Sequence, residues 1–497
     1  MNTRSWLSTS LLSSVAICGL LFGSNAGAAP VTVKNDWHQI KPPPLRVMKP
    51  QQPTRLVLDN GIIVLLQQDK ELPLLSMTVM LRGGSRDEPE GKTGLADIFA
   101  ESWRSGGTRT RTGDQIDDFL ALRAANIETG SEPTRMTLTT HCLKSDFADV
   151  LGLAVEVLRE PEFRQDKIDI AKRQLNTAIS RRNDEPSEIA GRESTKLAYG
   201  KEHPLARQEE YATIAAIGRD DLLMWHRRFV HAGNMIVGIS GDFEQAEMLA
   251  LLKQKLATLP TSQKLVIPEM GFVPTRPGLY FVPKKELNQS SIHLVQLGTT
   301  RKNPDHYALE VMNEILGGGF WARLFSSIRT KQGLAYNVGG GVGLGWEHPA
   351  LYKVAMSTKS QTTGKSITAL YEQVQGMLMN PPTVDELQKA KDAILNSFVF
   401  KFDSKSKILS DRMRLEFSGY PADYTEKYAE QVQKVTLDDV KRVAQKYLNP
   451  GGFAVLVVGN PDEVSEQLNQ LKHLGPVQTV DITIPPPPAR AASPAQK

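Results

Sequence analysis

The sequence predicts an α+β protein of two homologous domains, each a mainly antiparallel sheet packed with helices, closing on each other as a clamshell. Three observations carry this. First, Ile214 to Asp242 aligns with Val432 to Asn460 without a gap: Ile217 meets Val435, Asp220-Asp221 meets Asp438-Asp439, Phe229 meets Tyr447, Gly233 meets Gly451 and Gly241 meets Gly459. Val237 and Ile239 likewise meet Val455 and Val457. Each copy reads as a helix, a turn and a buried strand. Second, strand patterns open each half, helix patterns follow and a strand closes it, which is the order of an α+β domain. Third, Pro260 to Pro277 contains four prolines and reads as a linker between the halves.

Residues 1–29 read as a secretory signal. Arg4 gives a basic start, Leu11 to Phe22 an apolar stretch softened by serines, and Ala26-Gly27-Ala28 a small-residue cleavage site. The alternative is an uncleaved anchor, which the cleavage site disfavours. Residues 30–53, with Pro42-Pro43-Pro44, form an extended lead-in. The N-terminal domain spans 54–260. Leu56 to Leu66 is a strand pair around Asp59-Asn60-Gly61, a hairpin signal. Leu74 to Arg82 is a further strand, and Ile168, Leu175 and Ile179 recur at helical spacing. The linker is 261–277. The C-terminal domain spans 278–475, with strands at Leu279 to Val282 and Ser291 to Gly298. A tail, 476–497, is proline- and alanine-rich from Pro485 and reads as disordered there. Two like halves joined by a linker leave a cleft between them.

The 497 residues carry Lys+Arg 59 against Asp+Glu 55, a net charge of +4. This near balance, with basic residues scattered, excludes a dedicated nucleic-acid surface; Arg227-Arg228 is a solvated helix face. After the signal no apolar run approaches the roughly 18 residues needed to span a bilayer. The protein is expected to be exported, and periplasmic in a Gram-negative source. Of the two cysteines, Cys18 lies in the signal. Cys142 falls in the alternating strand Met136 to Leu143 and is expected to be a buried structural thiol.

One stretch, Gly317 to Tyr336, concentrates candidate chemistry. Locally it reads as loop, helix, turn and strand. Gly317, Gly318 and Gly319 supply backbone freedom and line an opening. Phe320, Leu324 and Ile328 mark a buried helical stripe, Gly333 stops the helix, and Leu334, Tyr336 and Val338 alternate as in a strand. The glycine turn folds Arg329 back toward Tyr336. Two donors converging there can hold a peptide carbonyl or an oxyanion. The plainer reading is that Arg329 complements a helix C-terminus and Tyr336 is a core aromatic.

The same stretch resembles the C-terminal half of the pitrilysin/insulinase family of zinc peptidases, whose metal motif is the inverted H-x-x-E-H. Arg329 and Tyr336 match that family's Arg-x6-Tyr pair. The resemblance covers about residues 54 to 475 and includes His203-Pro204, Gly241-Asp242 and Gly106-Gly107-Thr108. It implies two homologous domains clamping a peptide, with Arg329 and Tyr336 binding the substrate carbonyl and the turn Gly317, Gly318 and Gly319 helping to bind the substrate backbone. It also locates a loss. The family carries zinc on a helix between Gly-x-Ala and Gly-Thr, here Gly94 to Thr108. Counted from Gly94, the motif positions hold Asp97, Ala100 and Glu101; counted back from Gly107-Thr108, they hold Ile98, Glu101 and Ser102. Neither register contains histidine, and the later glutamate ligand falls on Thr177 or Ala178.

No substitute site is evident. None of the nine histidines lie four apart, and His226 and His231, five apart, occupy different helix faces. His203 reads as a loop-capping residue. Asp97 and Glu101 share a helix face and form either a general acid/base pair or an ordinary helix start. Gly317-Gly318-Gly319 lacks the Gly-Lys-Ser/Thr ending of a phosphate loop, Gly339-Gly340-Gly341 opens no helix, and there is no serine elbow. The expectation is therefore no metal or cofactor in this chain. The resemblance implies a heterodimer in which an H-x-x-E-H subunit holds the zinc, acting on a peptide or unfolded protein. The rival expectation is a catalytically inactive interaction or assembly module.

Overall fold

The computed structural model describes residues 51–261 and 265–488. The expected signal, nearly all of the lead-in and the chain beyond 488 lie outside the described residues. The first half runs β1 (Thr54–Val57), β2 (Ile63–Gln68), β3 (Leu74–Arg82), α1 (Leu95–Ser105), α2 (Gly113–Ala121), β4 (Asn126–Ser131) and β5 (Arg135–Leu143). It continues with α3 (Phe147–Arg159), α4 (Gln165–Arg181), α5 (Pro186–Tyr199), α6 (Tyr211–Ala216), α7 (Arg219–Phe229), β6 (Met235–Gly241) and α8 (Gln245–Leu256). The second half runs β7 (Gly278–Pro283), β8 (Gln289–Leu297), β9 (Thr299–Thr300), α9 (His306–Gly317), β10 (Val338–Gly341), β11 (Leu344–Gly345) and β12 (Leu351–Lys359). It ends with α10 (Thr363–Met379), α11 (Val384–Phe398), α12 (Lys405–Ser418), α13 (Tyr424–Lys434), α14 (Leu437–Tyr447), β13 (Ala454–Gly459), α15 (Pro461–Asn469) and β14 (Val477–Thr479).

Each half builds one six-stranded sheet, ordered β1-β2-β6-β3-β5-β4 in the first and β14-β7-β13-β8-β12-β10 in the second. Position by position the pairings agree. β2 with β6 and β7 with β13 are parallel, while β3 and β8 each pair antiparallel with both neighbours. Only one edge differs, since β1 is the antiparallel hairpin partner of β2 whereas β14 runs parallel to β7. The expected hairpin is present, with Gly61 at φ 91° in its turn. The sequence repeat is α7–β6 set against α14–β13, and the repeated aspartates have one mechanical role. Asp221 accepts from the Gly218 amide (2.8 Å) and Asp439 from the Thr436 amide (3.0 Å), so each caps its helix start.

On one face each sheet is covered by its own helices, burying Phe99, Trp103 and Phe147 in the first half and Leu309, Tyr352 and Phe453 in the second. The other face is covered by a helix from the opposite half. α12 lies on β2 and β6, packing Leu409, Met413 and Phe417 against Leu65, Met80 and Ile236. Reciprocally, α5 lies on β8 and β13, packing Ile189 and Ala190 against Val282, Leu456 and Val458. The cleft expected between the halves is therefore occupied by these two exchanged helices. The reason is the sheets themselves: β6 and β13 are buried on both faces, and a two-sided apolar sheet must be covered on both.

The chain between the second half and Pro485 joins the fold. Val477–Thr479 form β14, Val480 donates its amide to the Phe281 carbonyl (2.8 Å), and Asn183 reaches the Ile482 carbonyl (2.7 Å). Val480 and Ile482 pack against the α5 cluster and Ile484 against the first-half core. Their alternation is a strand signal that the following prolines conceal. Among the described residues no helix is long and apolar enough to cross a membrane.

Candidate functional site

The stretch around Arg329 is shaped by the end of α9. Gly317 is its last residue, not a loop residue, and a Cβ there would lie 2.4 Å from the Gly340 carbonyl oxygen. Glycine is required so that α9 can end directly on β10. Neither Gly317, Gly318 nor Gly319 adopts a left-handed conformation, so backbone freedom is not why they are there. A turn follows, then Phe325–Lys331 in π-helical form, where the Gln332 amide reaches back to the Ser327 carbonyl (3.1 Å). Gly333, at φ 62°, stops it. Leu324 and Ile328 are buried as expected, but Phe320 is 78% exposed. It precedes the helical turn, so the helical period does not reach it; its ring packs instead on Phe325, 4.8 Å between centroids.

Tyr336 also lies outside its expected strand, because β10 begins only at Val338. Its side chain is 83% exposed, which excludes the core-aromatic reading. Arg329 and Tyr336 nevertheless meet. Arg329 Nη1 donates to the Tyr336 carbonyl (2.7 Å), and the guanidinium lies 4.6 Å from the ring centroids of both Phe325 and Tyr336. Held between two rings, the guanidinium keeps its remaining N–H groups unbonded to protein among the described residues. Arg323, which the sequence did not single out, anchors the same segment. It forms a bidentate pair with Glu386 (2.7 and 2.9 Å) and donates to the Asn380 carbonyl (2.8 Å). That pairing holds the Glu386 carboxyl below its usual range.

Beside this segment a cavity of about 560 Å³ is lined by Gly317, Gly318, Gly340 and Gly341 together with Glu310, Glu314, Arg301 and Lys401. β10, its wall, is an edge strand. Glu310 is satisfied by Arg301 and Tyr428. Burial raises the Glu314 carboxyl and lowers the Lys401 ammonium.

The corresponding helix of the first half, α1, carries no comparable convergence. Ile98 and Ser102 are fully buried, and Ser102 Oγ donates back to the Ile98 carbonyl (2.5 Å). Glu101 faces solvent and Ala100 is buried. Asp97 is half-buried, and its pKa rises to about 6, chiefly through burial and then through Glu209 and Glu101. Asp97 and Glu101 therefore occupy unlike environments. Nearby, Glu88 accepts from the Gly94 and Ala96 amides at the start of α1, and burial still pushes its pKa up to about 8. Thr177 and Ala178 sit exposed on α4. Among the described residues no three His, Cys, Asp or Glu side chains gather as a metal would require. A zinc ion does not fit this donor set.

The remaining candidates are structural. His226 bonds the Leu158 carbonyl (2.8 Å) and His203 Nδ1 accepts from the Leu205 amide (3.2 Å), the loop cap expected of it. Cys142 is buried, and its thiol is pushed up to about 11.

Comparison with known proteins gives a match in each half. A model described as Insulinase (Peptidase family M16) matches residues 63–208, and one described as Peptidase M16 inactive domain matches 216–394. An uncharacterized zinc protease of Mycobacterium leprae is 24% identical over 81% of this chain and 91% of its own length. The non-peptidase homolog YmxG of Helicobacter pylori is 23% identical over 80% and 91%. The crystal structure of a peptidase M16 inactive domain from Pseudomonas fluorescens superposes with a TM-score of 0.75 at 24% identity, covering 82% of this chain and 98% of that one. The chain belongs to the insulinase (M16) peptidase family, in the two-domain form that lacks the zinc motif.

Proposed function

We propose that the chain is the non-zinc subunit of an exported M16 peptidase, binding peptide through Arg329 and Tyr336 while a partner chain with H-x-x-E-H holds the metal and the base. One observation carries this reading: Arg329 and Tyr336 are assembled on an exposed surface, whereas the first-half helix offers no ligand set. The Tyr336 carbonyl and the Phe325 ring fix the guanidinium, whose other donors bond to no described residue. With the Tyr336 hydroxyl they can hold a substrate carbonyl oxygen and bind it more tightly as it gains negative charge. The edge strand β10 offers main-chain groups for an extended peptide. No step depends on a metal in this chain.

The rival reading, an inactive assembly module, draws on the lost metal site and on the relative named a non-peptidase homolog. Kinetics of the reconstituted pair separate the two. Arg329→Ala and Tyr336→Phe should leave pair formation intact and lower turnover about 100–1,000-fold, the usual loss for one oxyanion donor. A pair that cleaves peptide and is indifferent to both substitutions would establish the module reading.

A further inference from the structure

A separate cavity, lined by three cations and by the carboxylates Glu269 and Glu347, lies at the junction of the halves. β3 ends at Arg82, and the chain turns through Gly83 (φ 109°) and Gly84 into the single turn Ser85–Asp87. A Cβ on Gly84 would lie 2.0 Å from the Glu132 carbonyl oxygen, and the Arg86 amide donates to the Pro133 carbonyl (3.1 Å). This turn is therefore pressed onto the β4–β5 connection and fixes Arg86. The Arg86 side chain is only 10% exposed, and its carboxylate neighbour, Asp87, is no closer than 3.5 Å. Asp87 Oδ2 has no hydrogen-bond partner; burial raises that carboxyl, and the charge of Arg86 opposes the shift. None of the Arg86 nitrogens is both buried and unbonded, so its donors remain reachable from the space that it lines.

Arg86 opens on a cavity of about 420 Å³ that both halves and the linker line. Arg82 lines it too but is committed, donating to Glu347 and the Phe417 carbonyl with its face on the Phe417 ring. From the second half comes Lys302, which pairs with no carboxylate among the described residues; its ammonium lies 5.6 Å over the Tyr420 ring. The linker carboxylate Glu269 lines the same cavity and forms no ion pair with either cation.

We propose that this cavity binds a compact oxyanion, a carboxylate or a phosphate, between Arg86 and Lys302, so that one ligand ties the first half to the second. The planar fork of Arg86 matches two oxygens of such a group, and Lys302 supplies a point charge from across the junction. The site is independent of the peptidase reading, since it shares no residue with the Arg329 surface.

Calorimetric titration of the full chain with inorganic phosphate, and separately with succinate, at constant ionic strength tests this. Saturable binding near one per chain is expected for at least one of the two, and which one binds identifies the chemistry. Arg86→Met should weaken it about tenfold or more, and Lys302→Met should weaken it as well. Lys302 is exposed, so its substitution leaves folding intact and decides the matter if Arg86→Met does not fold. No saturable binding of either anion, or binding unchanged by the substitutions, overturns the proposal.

Discussion

The two halves are one fold used twice, and they differ most where chemistry is at stake. α1 and α9 each follow the third strand of their half, and each ends on glycines. α1 turns Ile98 and Ser102 inward and leaves Glu101 in water, whereas the chain after α9 brings Arg329 onto Tyr336. The fold requires the buried stripe of α1, and in the register counted back from Gly107-Thr108 the ligand positions Ile98 and Ser102 are part of that stripe. The exchanged helices differ in their packing. In the first half a large Met413 on α12 covers Gly238, while at the aligned position of the second half a large Leu456 meets Ala190 on α5. Bulk has moved from strand to helix with the contact kept.

The largest effect that would sharpen this comparison is the 100–1,000-fold loss of turnover for Arg329→Ala in the reconstituted pair, against no effect of Glu101→Ala on the equivalent first-half helix. Equal losses at both positions would erase the asymmetry. Next is the exchanged packing. Met413→Ala should cost about 3 kcal/mol in chemical denaturation, as other buried Met truncations do, and a loss within experimental error would mean that α12 does not hold the halves together. Adding bulk beneath it should cost less. A Cβ at Gly238 would lie 2.1 Å from Met413 Sδ. The thioether can swing aside, so Gly238→Ala should cost about 1–2 kcal/mol, and less once Met413 is shortened.

How much of this the sequence disclosed follows from what periodicity measures. The strand at Leu74 to Arg82, the hairpin at Asn60-Gly61, the buried Cys142 and the repeated helix–strand unit were all legible, because each is local. The exchange of α5 and α12 was not. An apolar stripe reveals that a helix face is buried but not which sheet buries it. Phe320 and Tyr336 were misplaced for a related reason: helical and strand periods were extended across a turn and across the bend before β10. Arg323 and Arg86 escaped notice because a single arginine has no pattern, and only the fold reveals what it faces.

The smallest expected effect concerns Asp97. Its pKa of about 6 lies above the usual carboxylate value, so the native state binds more protons than the unfolded chain between about pH 4 and 6. The stability this group contributes is full at the acid end and lost as pH rises through about 6. Asp97→Asn should therefore stabilise the protein by about 1 kcal/mol near pH 8 and change little near pH 4. The same gain at both pH values would show that the carboxyl is not perturbed in the fold.

The claim that the first half has lost its metal while the second has kept its donors is tested most directly by metal analysis. The purified chain, dialysed and measured alone and then with its partner, should carry no stoichiometric zinc by itself, and the pair should carry only what the partner brings. One tightly held zinc per chain in the protein alone would contradict the account.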